Sequence, residues 1–490
     1  MKHSKHSYVF FAALAGLAAG CASTAHLDQA EELYCAGQYE EARASARSEI
    51  DEEEDPAEIE KAGYILDNLY AGSTALMCGD PEGAAEDFRH ASDGIADQEE
   101  STFGSGYPTR TYDATMAENY RALALWMQGE TDSARVAFRL VADAQDKAEE
   151  RFESAIRDEQ EELEKRKAEA KEEVEKKAAE EGGAAENAEN AEGEGEDAAS
   201  TLASNPQIAE FQGSFDDWEV YADFQIPSAW FLDALFALAH AEDASDLEHA
   251  SFAARKAISM QPTEPGTALF ALAESRADGK LSASALDGLF VVVFDNGLGP
   301  TIEEKRFDLP FPYDGAIYNI SFALPNLVKR EVAYPKLVVR DGPVALGETV
   351  PISDFDRVAV REFKGRLPGI IASQILEATT KLVIQIVVVK IAEDQGGAMA
   401  KFLASAAMSA LSSAVTGTDT RHWNLLPKEV QAWIGKKPDT ENRTVGLWIP
   451  GGVEPLATVD LPESGLSVVY VRIPAPGLPP FVTVLDSSGN

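Results

Sequence analysis

The chain has 490 residues, room for two or three domains, and its 84 acidic against 42 basic residues leave a net charge of −42. Such a surface repels polyanions, which excludes nucleic acid as a partner and disfavours docking the body on anionic headgroups. Three cysteines and seven histidines form no Cys-x-x-Cys or His-Glu-x-x-His spacing. Neither a phosphate-binding loop, a Gly-x-Ser-x-Gly elbow nor a dinucleotide turn occurs, so the sequence nominates no metal, no cofactor and no catalytic residue.

Residues 1–20 read as a signal peptide. Lys2 and Lys5 precede the apolar run Tyr8 to Ala19, which is too short to span a bilayer and ends in Ala18-Ala19-Gly20. Leu17-Ala18-Ala19-Gly20-Cys21 resembles the lipobox of bacterial lipoproteins, with Ala18 where that pattern prefers a branched residue. The resemblance implies that Cys21 becomes the mature N-terminus, its thiol carrying diacylglycerol and its amino group a further acyl chain. Several chains together anchor a protein stably. Ala22-Ser23 lacks the aspartate that retains enterobacterial lipoproteins at the inner membrane, so the expected address is the outer membrane, facing the periplasm.

Residues 21–146 read as helical repeats. "YCAGQYEEA" (34–42), "LMCGDPEGAAEDF" (76–88) and "WMQGETDSARVAF" (126–138) each place a glycine five residues before an alanine: Gly37 and Ala42, Gly79 and Ala84, Gly129 and Ala134. Glycine lets the chain reverse between two helices, and alanine lets them approach closely. The units resemble tetratricopeptide (TPR) repeats, at spacings of 42 and 50 residues against the usual period of about 34. Stacked repeats bury a continuous core and expose a concave face suited to a protein or peptide. Cys35 and Cys78 both fall in the last turn of a first helix, offset by one residue. An oxidising compartment would allow a disulfide between them; two small buried hydrophobes are the alternative.

Residues 147–205 form a linker. Its first part has charges of both signs at helical spacing and predicts a solvated single helix, because no heptad seam persists through it. Glu180 to Ser200, acidic and glycine-rich, predicts disorder and serves as a spacer. A further TPR-like repeat follows over 206–280, clearest in "ALAHAEDASDLEHASFAARKAISMQP" (237–262).

From residue 281 to 490 the texture is β-rich. "DGLFVVVFDNGLGP", "AIYNISFAL", "PKLVVRD", "TVGLWIP" and "SGLSVVYVRIPAP" are β-branched runs bounded by turn residues. Arg366 to Val415 interrupts them as an apolar helical hairpin turning at Gly396-Gly397. Glu377, Lys381 and Lys390 break its apolar length, which favours packing against the sheet over entry into a membrane. The expected fold class is therefore α+β, all-α repeats followed by a β-rich domain with an inserted hairpin.

"YDATMAENYRALALWMQGE" (112–130), "FDNGLGPTIEEKRFDLPFP" (294–312), "VAVREFKGRLPGIIASQIL" (358–376) and "TDTRHWNLLP" (418–427) carry a resemblance to a family of TPR-containing proteobacterial envelope lipoproteins. It covers most of the mature chain outside the acidic linker. It implies an envelope lipoprotein with repeats, no established enzymatic activity and no catalytic residues to carry over; a link to cell-wall assembly is its weakest implication. On the residues themselves, Asp356, Arg357, Arg361, Glu362 and Lys364 precede the hairpin, and Asp419 and Arg421 follow it, so opposite charges could fix its base. Asp419, His422 and Glu362 could instead make an acid–base site. The leading expectation is a lipid-anchored, non-enzymatic scaffold that binds an envelope protein or peptide through its repeats. The alternative is a hydrolase or transferase acting on cell-wall material through the C-terminal domain.

Overall fold

The computed structural model describes residues 24–50, 64–100, 107–180, 199–313, 316–395, 417–439 and 443–485. Cys21, the acidic run 181–198 and the Gly396-Gly397 turn lie outside them.

The helices come in antiparallel pairs, α1 (Ala25–Cys35) with α2 (Tyr39–Ala46), α3 (Ile65–Cys78) with α4 (Pro81–Glu100), and α5 (Thr111–Met127) with α6 (Thr131–Asp146). Gly37, Gly79 and Gly129 sit between the partners at φ +77°, +73° and +77°, the left-handed region that costs glycine no steric clash. Ala42, Ala84 and Ala134 are fully buried, and each donates its N–H to the carbonyl four residues back in the first turn of the second helix. The repeating glycine and alanine are thus one structural device used three times.

A long charged helix, α7 (Ala148–Glu180), and a short one, α8 (Pro206–Gly213), follow. A fourth pair, α9 (Pro227–Ala239) and α10 (Ala244–Met260), is followed by α11 (Glu264–Ala277). This pair stacks directly on the third. Arg135 on α6 reaches Asp246 at 2.8 Å and Glu242 at 2.9 Å. Gln145 accepts from Ile226 N at 2.5 Å, and the Phe138 and Phe236 rings lie 4.8 Å apart.

The first helices of the second, third and fourth pairs are buried on nearly every side, whereas α1 buries only Leu27, Ala30 and Tyr34. All residues from Ile65 to Met77 on α3 and from Pro227 to Leu238 on α9 are buried, as is nearly all of α5. The second helix α6 buries one stripe instead, Ala134, Ala137, Phe138, Val141, Ala144 and Gln145. What covers the first helices is a five-stranded sheet in the order β11-β10-β1-β7-β6. Its strands are β1 (Leu289–Asn296), β6 (Val350–Asp354), β7 (Glu429–Lys436), β10 (Ser467–Ile473) and β11 (Phe481–Leu485). β1 pairs parallel with β10 and antiparallel with β7. Val291 and Val293 face the helices, while Phe290, Val292 and Phe294 face a second sheet. That sheet is ordered β5-β4-β8-β9, from β4 (Val338–Asp341), β5 (Val344–Glu348), β8 (Thr444–Trp448) and β9 (Ala457–Asp460). The result is three layers: helix pairs, sheet, sheet. The central strand β1 reads as a continuous apolar run because both of its faces are covered.

The expected split into a repeat domain and a β-rich domain is therefore too sharp, since one core runs through both. The mixed α+β class stands, with helices first and sheets after them. All five runs read as strands are strands, β1, β3 (Ala316–Val328), β4, β8 and β10. β2 (Thr301–Tyr313), with its charges and two prolines, was not expected, nor were β5, β6, β7, β9 and β11.

Three excursions of the chain build an arm on this body. α6 runs through Lys147, which keeps near-helical angles, into α7. α7 lies parallel to α12 (Phe355–Gln395): Phe152 packs against Gly365, Glu159 meets Arg366 at 3.6 Å, and Arg166 donates to Ser373 at 3.3 Å. The β2–β3 hairpin covers the other side of α12 with Leu309, Ile320, Phe322 and Leu324, and the returning segment 199–215 adds Leu202, Ile208, Phe211 and Phe215. The charged helix is thus not solvated all round. Phe152, Ile156, Leu163, Ala170 and Val174 make a narrow stripe turned toward α12, and all its other sides are charged. The first arm of the expected apolar hairpin is α12, which begins at Phe355 rather than Arg366. Its stretch Phe355–Ile384 is long and apolar enough to cross a membrane by length and composition. However, Leu367, Ile371, Ile375, Leu382 and Ile386 are buried in the arm.

Candidate functional site

The surface expected to receive a partner, the inner face of the first helices, meets the chain's own sheet through a buried polar network. Asp295 at the end of β1 accepts from Tyr120 Oη on α5 at 2.8 Å and from Tyr470 Oη on β10 at 2.6 Å. Arg472, two residues further along β10, lies 3.5 Å from the same carboxylate. It also donates through Nε to Tyr34 Oη on α1 at 2.9 Å and through Nη2 to Leu425 O. Burial pushes the Asp295 carboxyl up, against the pull of Arg472 and the two phenols. A buried carboxylate and a guanidinium with all three of its nitrogens engaged fix the sheet on the helices.

Beside this network, the segment carrying "TDTRHWNLLP" threads between sheet and helices. Trp423 is 2% exposed, packs on Phe88 and Tyr120 at 5.8 and 6.0 Å, and donates Nε1–H to Ser73 Oγ at 3.0 Å. Arg330 bridges Glu31 on α1, at 2.6 Å, to the backbone carbonyls of Gly299 and Asn424. None of these partners is legible as such in the sequence. Only Asp295 and Arg472, charges set in apolar strands, hint at a buried pair.

Glu362, Asp419 and His422 each have a partner that is not one of the other two. Glu362 Oε2 accepts from Thr111 N at 2.9 Å and Thr111 Oγ1 at 2.5 Å, capping α5, and Glu362 Oε1 lies 3.2 Å from Arg366. Asp419 is forked by Arg421, at 2.9 and 2.6 Å, and held below the usual carboxylate range despite its burial. His422 directs Nδ1 at Thr420 O, 2.8 Å away, and Nε2 at Pro300 O, 3.3 Å away. Burial lowers its pKa to about 4, so at neutral pH it is an uncharged ring whose single N–H donates to one of these two carbonyls. A cavity of about 30 Å³ lies between Arg110, Glu362, Arg366 and Asp419, walled by Ile302 and Leu327. It is roomy enough for a water or two.

The other charges at the base of α12 pair, but with elements outside the hairpin. Asp356 meets Lys428. Lys364 reaches Asp216 at 3.0 Å, and Arg361 donates to Tyr221 O at 3.1 Å. The Arg357 guanidinium stacks over the Tyr221 ring at 4.2 Å. The two flanks of the hairpin therefore do not pair with each other as expected: Lys428 and the segment 215–224 hold the charges that precede it, and Asp419 pairs with its neighbour Arg421.

Cys35 is an exposed free thiol and Cys78 a half-buried one, so the bridge considered between them is not formed. The one-residue offset turns them to different neighbours: Cys35 lies near Glu31 and Arg330, Cys78 near Glu40, Arg43 and Asp80. Burial pushes Cys78 up to about 12, and Glu40 adds to the shift. Among the described residues no group of three or more His, Cys, Asp and Glu side chains is placed to hold a metal ion. An open trough of about 540 Å³ runs along α11, lined by Pro262, Thr263, Glu264, Thr267, Ala268 and Ala271, and includes none of these groups.

No family model, no curated protein and no solved structure matches the chain.

Proposed function

We propose that the chain is a non-enzymatic scaffold of the bacterial envelope, anchored in the outer membrane through lipid on Cys21 and binding an envelope protein or peptide. The lipobox-like Leu17 to Cys21 supports the anchor, and the TPR-like glycine–alanine devices support the binding role. One observation carries the reading furthest. The helix pairs are stacked on their own sheet by Asp295, Arg472 and Trp423, which makes a rigid body, while the second helices and the arm are left on the outside. The partner surface accordingly lies there and not in the groove. Exposed apolar side chains mark it, Val136 and Leu140 on α6 and Phe252 on α10, at 52, 41 and 47% exposure.

The test is photo-crosslinking in cells from Val136 and Phe252, followed by mass spectrometry. One envelope protein captured from both positions supports the reading. Cleavage or transfer on cell-wall material by the purified chain, lost in Glu362→Gln with the fold intact, would replace it with the enzymatic alternative.

A further inference from the structure

The edge strands of this fold differ in how far they are protected from pairing. At the β6 edge, Tyr221 Oη accepts from Asp354 N at 2.9 Å, Gln261 Nε2 donates to Pro351 O at 3.3 Å, and Pro351 has no N–H to leave unpaired. β5 is bulged opposite Val339 and Arg340, and β9 has four residues and closes on Asp460. β2 sets Glu303, Glu304, Lys305, Arg306, Pro310 and Pro312 along its length. Charges, prolines, bulges and short strands all keep a sheet edge from pairing with another chain. β11 uses none of them. Its five residues, Phe481-Val482-Thr483-Val484-Leu485, are uncharged, in regular register with β10 and of types that favour strands.

The ladder fixes which backbone groups of β11 face outward. Gly297 N donates to Ile473 O, which turns Ile473, Val471 and Val469 of β10 toward β1, and Arg472, Tyr470 and Val468 toward β11. The partners of those last three in register are Phe481, Thr483 and Leu485. Val482 and Val484 therefore direct N–H and C=O away from the sheet. Among the described residues, none hydrogen-bonds these four groups. The side chains of the strand are already in use: Phe481 and Leu485 pack toward the helices, Val482 and Val484 toward the second sheet. What β11 leaves unmatched is its backbone.

We propose that the outer edge of β11 is a docking surface separate from the second helices, and that it takes an extended segment of a partner protein with basic residues flanking the strand. Donors and acceptors repeating every second residue are matched by another extended backbone, whereas a helix satisfies its own. Charge then selects the occupant. Leu478 and Phe481 lie against Gly37 and Gly79, so the strand begins at the turns of the first two helix pairs, where Glu40, Glu41 and Glu82 are exposed. A second copy would bring the same acids to the same edge, with its own net charge of −42, and that repulsion opposes self-pairing. A strand with basic flanks is drawn in by the same field.

The experiment uses the full chain in detergent and a synthetic peptide, Lys-Lys-Phe-Val-Thr-Val-Leu-Lys-Lys, with the same peptide flanked by Asp as its control. Val484→Pro removes an outward N–H without touching the bonds to β10, and Val484→Ala keeps that N–H. The expected result is a monomer by sedimentation whose Val482 and Val484 amides exchange fast alone and slowly with the Lys-flanked peptide. Val484→Pro should weaken that binding by about tenfold, the worth of one such hydrogen bond, while Val484→Ala retains most of it. The amide reading is made on the unsubstituted chain, so it does not depend on how well Val484→Pro folds. Slow exchange of both amides without peptide, or no slowing with it, overturns the docking edge. So does equal binding by a folded Val484→Pro. A dimer that Val484→Pro abolishes makes the occupant a second copy and overturns the partner, and equal binding of the Asp-flanked peptide overturns its basic character.

Discussion

Asp113 is fully buried at the start of α5, where Tyr107 Oη and Arg110 N donate to one oxygen and the other oxygen has no hydrogen bond. Burial pushes its carboxyl up to about 7. Because the folded pKa lies above the unfolded value of about 3.9, the folded state binds the proton more tightly. The stability this contributes is present below about pH 4 and is lost as pH rises toward 7. Asp113→Asn keeps the acceptor oxygen without the charge. It is expected to stabilise the protein at pH 8 by on the order of a few kcal/mol and to flatten the pH dependence between 4 and 7, read by denaturant unfolding. Gly129 gives a simpler case: its φ is +77° and nothing lies within 4 Å of where a Cβ would stand. Gly129→Ala should therefore cost about 1 kcal/mol through backbone strain alone, with the same midpoint slope in urea. Gly37, Gly79, Gly129 and their alanines were legible because their work is local, a turn and a close approach a few residues apart. Tyr120 and Asp295 were not, because a pair 175 residues apart leaves no periodic trace.

The arm is the element-scale counterpart of that lesson. α7 shows five apolar side chains on its packed stripe among 33 residues, too dilute to read as a seam until α12 supplies the facing half. α12 was read as an apolar helix packing on a sheet; it packs on α7 as well as on β3, and its last described turn ends at Gln395. β2 escaped notice because Glu303, Glu304, Lys305 and Arg306 are exposed and interrupt its alternation. If the α7–α12 contact holds the arm together, Val174, 5% exposed near its far end, is a weak point. Val174→Asp places an unpaired charge there. Amide exchange should rise over residues 165–180 while the melting temperature of the body stays put, since stability is not uniform across such a projection. A matching loss of stability in the body would show that the arm is part of the global fold.

At the scale of the whole molecule, the groove of the helix stack is filled by the sheet that follows it in the chain. The helix pairs were legible as repeats, and the strands as strands. Their mutual packing was not, because an open concave face and a filled one need the same apolar first helices. A chain ending at residue 280 would leave the inner sides of α3, α5 and α9 without cover. Those helices are buried throughout their lengths in the full chain, so the truncated chain should be poorly folded and aggregation-prone, as judged by near-ultraviolet circular dichroism and sedimentation. A well-folded monomer would mean that the repeats stand alone. The intact protein offers the most direct measurement, hydrogen exchange compared between first and second helices. With the sheet seated in the groove, amides of Ile65–Cys78, Thr111–Met127 and Pro227–Ala239 should exchange most slowly of all the helices, at rates set by global unfolding. Exchange there as fast as in Thr131–Asp146 or Ala244–Met260 would contradict the filled groove and return the concave face to its role as the binding surface.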